Sequence, residues 1–205
     1  MTDFSEAIEH LSRSDKVLRL MIRRVGTCML KIKNHRSPFE ALLQSITYQQ
    51  LNGTAAATIL NRVKALYPGR RFPSPQDVLA TPDDHLRRAG LSRAKVASIK
   101  DLANHAISGS VPSSRAIRKL SDVQILEQLT IVRGIGPWTV EMLLIFYLGR
   151  ADVWPVTDYG VRKGFARAYG LQELPSPKEL FAHGEKWRPY RSIAAWYFWR
   201  ALELD

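Results

Sequence analysis

The chain has 205 residues, of which 30 are lysine or arginine and 19 are aspartate or glutamate, so its formal net charge is +11. An apolar fraction of 45% and a charged fraction of 24% are ordinary for a folded domain and exclude a chain that is disordered throughout. The basic balance favours a polyanionic partner, with nucleic acid ahead of an anionic membrane surface.

Helix start signals recur along the chain. Three segments place a hydroxyl residue (Ser37, Thr81 or Ser176) at the N-cap, proline at the first helical position and an acid at the third. Ser121 and Gln124 form a fourth, proline-free capping box. Each signal predicts that a helix begins there.

The apolar residues between these signals follow a helical period. They recur at i, i+3 and i+4 along segments 39–47, 59–66 and 193–201. No convincing alternating strand is present, and Asn52-Gly53 lies between helical stretches. The pattern predicts an all-α protein of about ten short helices in a single compact unit.

A glycine turn near the middle of the chain carries the most information. An apolar helix is expected to end near Val132, the turn Gly134-Ile135-Gly136 follows, and a second apolar helix begins at Pro137. The amides of such a turn, together with the N-terminus of the next helix, are suited to binding a DNA phosphate. Taken alone, the same residues also suit an ordinary glycine cap between two helices.

Three further motifs accompany the turn. Asp158 lies 22 residues after Gly136, in the run D-V-W-P-V-T-D-Y. W-R-P-Y-R-S at 187–192 precedes A-A-W-Y at 194–197, and S-I-T-Y-Q-Q-L occupies 45–51. In this order the motifs resemble the helix-hairpin-helix (HhH-GPD) DNA glycosylase superfamily, and within it the 3-methyladenine DNA glycosylase II branch without its N-terminal β domain. The resemblance spans about residues 36–203.

The resemblance implies a fold and an activity. The fold would have two helical lobes, approximately 36–148 and 1–35 with 149–205, and an active-site cleft between them. The activity would be hydrolytic excision of flipped-out 3-methyladenine and 7-methylguanine from duplex DNA, leaving an abasic site. Two alternatives stay open: another lesion, such as ethenoadenine, hypoxanthine or an oxidised base, or a non-catalytic DNA-binding protein.

The resemblance also assigns roles to individual residues. Asp158 would be the catalytic carboxylate, although an aspartate after a threonine also suits a helix N-cap. A cationic base would stack on aromatic rings, and a wedge would fill the gap that it leaves in the duplex. The expected pocket residues are Trp138, Tyr159 and Trp199, and the wedge candidates are Gln50, Leu51 and Gln49.

Further predictions concern the hairpin and the residues around it. Superfamily members with lyase activity carry a lysine where this chain has Trp138, and tryptophan cannot form a Schiff base, so a monofunctional enzyme is expected. A monovalent cation would bind main-chain carbonyls of Thr130, Val132 and Ile135. Cys28 is the only cysteine, so an iron–sulfur cluster on cysteines is excluded. The expected phosphate contacts are Gly134, Gly136, Arg133, Thr139, Arg162 and Lys163.

The N-terminal residues lack the basic and apolar regions of a signal peptide. The longest apolar stretch, Met142 to Leu148, is too short to span a bilayer. We therefore expect a soluble, cytoplasmic protein that acts on double-stranded DNA, with a monomer as the default state.

Overall fold

A computed structural model describes residues 3–33 and 35–204, and within those residues the chain is helical and contains no strand. The all-α prediction is confirmed. No helix in this part of the chain combines the length and the apolar character that crossing a membrane requires. The first seven α-helices are α1 (Ser5–Ser14), α2 (Lys16–Val25), α3 (Pro38–Tyr48), α4 (Gly53–Ala65), α5 (Pro75–Ala80), α6 (Asp83–Arg88) and α7 (Arg93–Ser108).

Six shorter or later α-helices follow. A π-helical turn, Leu144–Leu148, continues the tenth, and a 3-10 turn, Glu185–Trp187, lies between the last two. The six helices are α8 (Ser114–Ile117), α9 (Asp122–Leu129), α10 (Pro137–Leu143), α11 (Tyr159–Tyr169), α12 (Pro177–Gly184) and α13 (Arg191–Ala201).

The chain divides into two compact units. The described residues up to Lys33 and from Leu144 onward form what we call the terminal unit, and those between them form the central unit. The hairpin therefore belongs to the central unit, and Asp158 belongs to the terminal unit.

Most of the predicted helix starts are observed. Ser37 accepts the Glu40 N–H at 3.1 Å, and the Ser121 and Ser176 capping boxes are both formed. A helix also begins after Thr81, but the N-cap role predicted for Thr81 is wrong, because its hydroxyl donates to the carbonyl of Asp77 at 2.8 Å and so closes the preceding helix, α5. Helix α6 instead follows Pro82 without a side-chain cap.

The core of the central unit lies between α3 and α7. Helix α3 buries Leu42, Leu43 and Ile46, and α7 buries Ile99 and Leu102, all essentially without exposed surface. Burying an aliphatic side chain of this size stabilises the fold by about 1.5–3 kcal/mol. This packing fixes α7 against α3.

A buried carboxylate ties together distant segments of the terminal unit. Asp15 is 5% exposed, and its Oδ1 accepts two N–H groups of the first turn of α2. Its Oδ2 accepts hydrogen bonds from Tyr169 and Trp187 and pairs with the Lys186 ammonium at 2.7 Å. Burial raises the pKa of the Asp15 carboxyl, but these donors outweigh burial and lower it to about 2.

Candidate functional site

Asp158 stands at the start of α11 and is 8% exposed. Its Oδ1 accepts the backbone N–H of Val161 at 2.7 Å and the indole Nε1–H of Trp199 at 2.8 Å. The N-cap interpretation of this aspartate is therefore correct as geometry. It does not compete with a catalytic role, because a carboxylate fixed by two donors is also oriented for chemistry.

Two glycines of α11 bring Asp158 to α13. A Cβ at Gly164 would lie 1.9 Å from the backbone oxygen of Phe198, so only glycine allows this helix contact. A Cβ at Gly160 would lie 2.9 Å from Trp199 Cδ1 and 3.1 Å from Asp158 Oδ1. The short distance between Trp199 and Asp158 thus depends on glycine at both positions.

Aromatic residues lie near the carboxylate within the terminal unit. Trp199 is half-buried and stacks on Phe146, with ring centroids 5.6 Å apart and an interplanar angle of 27°. Tyr159 is 62% exposed, and Lys163 Nζ lies 5.9 Å from its ring centroid. Trp199 therefore contacts Asp158, and Tyr159 is the exposed residue that follows it in the chain, while their role as pocket residues stays a prediction. Phe146 is an addition that the sequence reading missed, because it lies within an unbroken apolar run.

The other tryptophans differ in exposure. Trp138 is 44% exposed and belongs to the central unit, at the second position of α10. Trp154, Trp187 and Trp196 are buried in the terminal unit. Trp154 also donates its Nε1–H to the Leu180 carbonyl at 2.8 Å, which satisfies its polar edge inside the core.

The segment that leads to Asp158 is anchored by an ion pair. The Arg191 guanidinium donates to Asp152 Oδ1 at 2.7 Å and to Oδ2 at 3.1 Å, and Arg188 donates to Oδ2 at 2.8 Å. Arg191 is 6% exposed, so this bidentate pair is largely shielded from water. Asp152 therefore fixes the path of the chain toward Asp158.

The predicted hairpin is formed in the central unit. Gly134 has φ +77°, and a Cβ there would lie 2.6 Å from Ser98 Oγ on α7. Both Gly134 and Gly136 are exposed, and in the described part of the chain the N–H groups of these two glycines have no internal acceptor. Exposed amides at the start of α10 are suited to a phosphate oxygen.

The phosphate contacts expected from the sequence fall into three groups. Arg133 is exposed beside the hairpin, and its backbone N–H donates to Asp101 Oδ2 at 2.8 Å. Lys163 is exposed, whereas Arg162 is partly buried and donates to the Pro175 carbonyl at 2.9 Å. Thr139 is 3% exposed and its N–H donates to the Gly136 carbonyl at 3.0 Å, so this prediction needs correction: the residue supports the hairpin from inside.

The wedge candidates occupy the turn after α3. Gln50 and Leu51 are exposed, and Gln50 has φ +56°, the only positive φ among the described non-glycine residues. Gln49 points toward the hairpin instead, since its Nε2 donates to the Gly134 carbonyl at 2.9 Å. Gln50 and Leu51 remain candidates to enter DNA, and Gln49 is a tether.

Lys95 also contacts this turn, and the sequence did not predict that contact. Its Nζ donates to the carbonyls of Thr47 at 2.7 Å and Gln49 at 2.8 Å. Burial lowers the pKa of the Lys95 ammonium. A lysine on α7 gave no sequence signal for this contact, because its acceptors are backbone groups that any residue type would supply.

Comparison with known proteins identifies the relatives of the chain. The family model of the HhH-GPD superfamily base excision DNA repair proteins matches residues 43–189. DNA-3-methyladenine glycosylase 1 of Schizosaccharomyces pombe is 35% identical over 205 residues, which is 100% of this chain and 90% of that protein. A 3-methyladenine DNA glycosylase of the same yeast, solved in complex with abasic DNA, matches with a TM-score of 0.89 over 98% of both chains.

A bacterial structure is similar as well. DNA-3-methyladenine glycosidase from Bacillus halodurans matches with a TM-score of 0.86 and 34% identity, over 96% of this chain and 89% of that chain. The matches therefore cover both units, and they include the residues from the turn after α3 through the segment that contains Asp158.

Proposed function

Because the chain belongs to the HhH-GPD superfamily of base excision DNA repair proteins, we propose that it is a DNA glycosylase that excises alkylated purines, chiefly 3-methyladenine and 7-methylguanine, from duplex DNA. The observation that carries the proposal is the Asp158 carboxylate, fixed by Val161 and Trp199 beside exposed Tyr159. The printed names of the relatives, DNA-3-methyladenine glycosylase among them, support the substrate class.

The proposed reaction is hydrolysis of the base–sugar bond. The bond between the purine nitrogen and the sugar C1′ breaks, its electron pair leaves with the base, and positive charge develops on the sugar. The Asp158 carboxylate stabilises that charge electrostatically. Water then forms the new bond to C1′ and gives its proton to the same carboxylate. The products are a free base and an abasic site.

Alkylation explains the preference for aromatic rings near the carboxylate. A purine methylated on a ring nitrogen is cationic, so it leaves as a neutral base and is attracted to the face of an aromatic ring. Tyr159 and Trp199 are the rings beside Asp158 in the terminal unit, and exposed Trp138 in the central unit is a third candidate.

We further propose that the enzyme has no lyase activity. Strand cleavage through a Schiff base needs an amine nucleophile, and the residue two positions after Gly136 is Trp138. Water is therefore the proposed nucleophile, and the DNA strand stays intact after base loss.

DNA binding is proposed to combine phosphate contacts with a wedge. The exposed amides of Gly134 and Gly136 and the side chain of Arg133 would hold the backbone, and Gln50 or Leu51 would fill the space of the flipped base. Carbonyls of Thr130, Val132 and Ile135 are an uncharged oxygen set that fits a monovalent cation, and such an ion would join the hairpin to a phosphate. The Val132 carbonyl already accepts the Ile135 N–H at 3.1 Å and keeps a second lone pair.

The test is excision from DNA treated with a methylating agent. The protein is incubated with the methylated duplex. Each sample is then divided into two parts, one treated with hot alkali and one not. We expect more strand breaks than in a protein-free sample only after alkali, because an abasic site is alkali-labile while the strand itself is uncut. Protein-dependent breaks without alkali would show an amine nucleophile, and no protein-dependent breaks in either arm would refute excision of alkylated purines.

Two controls make the assay specific to this chain. Asp158→Asn, prepared identically, reports any contaminating host glycosylase, since its side chain still caps α11 but carries no charge. A salt series reports the phosphate contacts, because counterion release makes binding weaken steeply as salt rises.

A further inference from the structure

One face of α7 contacts both parts of the proposed DNA-binding surface in the central unit. Lys95, Ser98 and Asp101 are spaced three residues apart, so they follow one another along the same side of the helix. Lys95 holds the turn after α3, and Asp101 holds the hairpin by accepting the Arg133 N–H. Ser98 lies against Gly134, so closely that a Cβ there would be 2.6 Å from its Oγ. A single rigid helix thus sets the distance between the turn and the hairpin.

The contact of Lys95 is at the C-terminal end of α3. Its ammonium donates to the carbonyls of Thr47 at 2.7 Å and Gln49 at 2.8 Å, on either side of the last residue of the helix. Such carbonyls lack partners within the helix, and a positive charge is favourable there. Lys95 therefore fixes the backbone at the point where the chain enters the turn.

The turn itself needs to be held. Gln50 adopts φ +56°, a conformation that is common for glycine, less so for asparagine and aspartate, and rare for other residues. Gln49 provides a second tether through its hydrogen bond to the Gly134 carbonyl at 2.9 Å. With Gln49 and Lys95 in place, Gln50 and Leu51 follow a backbone that is fixed immediately before them.

We propose that Lys95 is a positioning residue for base flipping, which keeps the turn Gln49–Leu51 rigid and at a set distance from the hairpin. The proposal rests on the proposed function, since it assumes that this turn enters the duplex. A wedge that is already ordered loses little conformational entropy when it inserts, so more of the binding energy is available to unstack the base.

The experiment compares Lys95→Met with Lys100→Met. Methionine keeps the length and the apolar stem of Lys95 but donates no hydrogen bond, and Lys100 lies on the same helix in a partly exposed ion pair with Asp83. Single-turnover excision is measured on a methylated purine that is paired and on the same purine in an unpaired bulge. Melting temperatures of all variants show how much protein is folded.

We expect Lys95→Met to lower excision of the paired base about tenfold and that of the unpaired base less than about threefold, because an unpaired base costs less to flip. Lys100→Met should change neither, and Lys95→Arg, which keeps a charged donor, should recover most of the loss. An equal loss on both substrates would overturn the proposal, since loss of folded protein or of a phosphate contact acts on both alike.

A binding experiment separates this proposal from the proposed function. A duplex carries an abasic analogue with 2-aminopurine beside it, so that insertion of the wedge raises fluorescence without any bond being broken. At saturating protein we expect a smaller rise for Lys95→Met than for the wild type. If the wild type raises the fluorescence but releases no methylated base, the proposed function fails while the wedge proposal stands.

A second variant covers the case in which Lys95→Met does not fold. Gln49→Met removes the tether to Gly134 and leaves α7 unchanged. It should show the same signature, with a larger loss on the paired than on the unpaired substrate and a reduced fluorescence rise. A full fluorescence rise together with unchanged excision in Gln49→Met would overturn the role assigned to this tethered turn.

Discussion

Asp15 and Asp158 cap helices of the same unit in the same way, yet their surroundings differ. Each accepts an N–H of the first helical turn through Oδ1. Asp15 is 5% exposed, and its Oδ2 accepts hydrogen bonds from Tyr169 and Trp187 and pairs with the Lys186 ammonium. Asp158 is 8% exposed and adds the indole of Trp199 to the same oxygen that caps the helix.

The comparison shows that a capping aspartate acquires its role from its neighbours. Asp15 lies at 2.7 Å from an ammonium and among buried rings, so its charge is neutralised within the fold. Asp158 is followed directly by Tyr159, which is 62% exposed, so the protein surface begins at the next residue. One carboxylate is thus suited to stabilising the protein, and the other is suited to stabilising a charge that appears during a reaction.

The largest expected effect is the loss of excision in Asp158→Asn. Asparagine is as good an N-cap as aspartate, so α11 should stay intact. The negative charge is lost, and removal of one electrostatic group from an active site typically costs about 100-fold to 1,000-fold in rate. Single-turnover excision from methylated duplex measures the rate, and binding to an abasic-analogue duplex should stay within about twofold.

Asp15→Asn is the matched control for that variant. It makes the same chemical change at the other capping aspartate, and its excision rate per folded molecule should equal that of the wild type. Equal excision rates for Asp158→Asn and the wild type would remove Asp158 from the mechanism.

The next largest effect is expected from Gly164→Ala, which tests the packing that brings Asp158 to α13. The new Cβ would lie 1.9 Å from the Phe198 carbonyl oxygen, so the helices must separate. Overpacking of this kind costs about 1–3 kcal/mol or more, and we expect a fall in melting temperature together with slower excision. Gly53→Ala is the control for stability, because nothing lies within 4 Å of a Cβ added at Gly53. An unchanged melting temperature in Gly164→Ala would contradict the packing argument.

Asp15 also predicts how stability depends on pH. Its pKa is lowered from 3.8 to about 2 in the folded protein, so the stabilisation is present above the unfolded value and is lost as the pH falls from about 5 toward 2. The contribution at neutral pH is about 2 kcal/mol. Chemical denaturation across this range should show a steeper acid loss for the wild type than for Asp15→Asn.

His183 modifies the same pH profile. Burial, with Lys186 nearby, lowers the pKa of this histidine, so the folded protein favours its neutral form and loses stability as the pH falls below the ordinary value of 6.5. His183→Gln should therefore flatten the profile near pH 6 and leave the loss below pH 5 in place.

For the Asp15 prediction, parallel stability profiles of the wild type and Asp15→Asn below pH 5 would show that Asp15 is not the group that causes the acid loss of stability.

The sequence predicted what depends on local contacts. Ser37, Ser121 and Ser176 mark helix starts because the hydroxyl and the amide that it accepts are three residues apart. The N-cap role predicted for Thr81 failed for a related reason. Its hydroxyl is also close in sequence to the Asp77 carbonyl of the preceding helix, and it donates to that carbonyl instead. The role of Asp158 was implied by the family resemblance of the motifs around it, and it stays a prediction.

The contacts that orient the candidate site could not be predicted in this way. Trp199 is 41 residues from Asp158, and Lys95 reaches carbonyls 46 and 48 residues earlier in the chain. A contact from a side chain to a distant backbone group places no requirement on the residue type of its acceptor. Such contacts appear only when the packing of the helices is known.

The smallest expected effect comes from Trp199→Phe, which isolates one donor of Asp158. Phenylalanine keeps a ring to stack on Phe146 but removes the N–H that lies 2.8 Å from Asp158 Oδ1. Because Asp158 Oδ1 still accepts the Val161 N–H and caps α11, we expect kcat to fall about tenfold with KM and melting temperature nearly unchanged. Trp154→Phe is the matched control: it deprives the buried Leu180 carbonyl of its indole donor, so it should lower the melting temperature and leave kcat unchanged. If both variants lost only stability, Trp199 would be a packing residue and the orientation of Asp158 would depend on its helix cap alone.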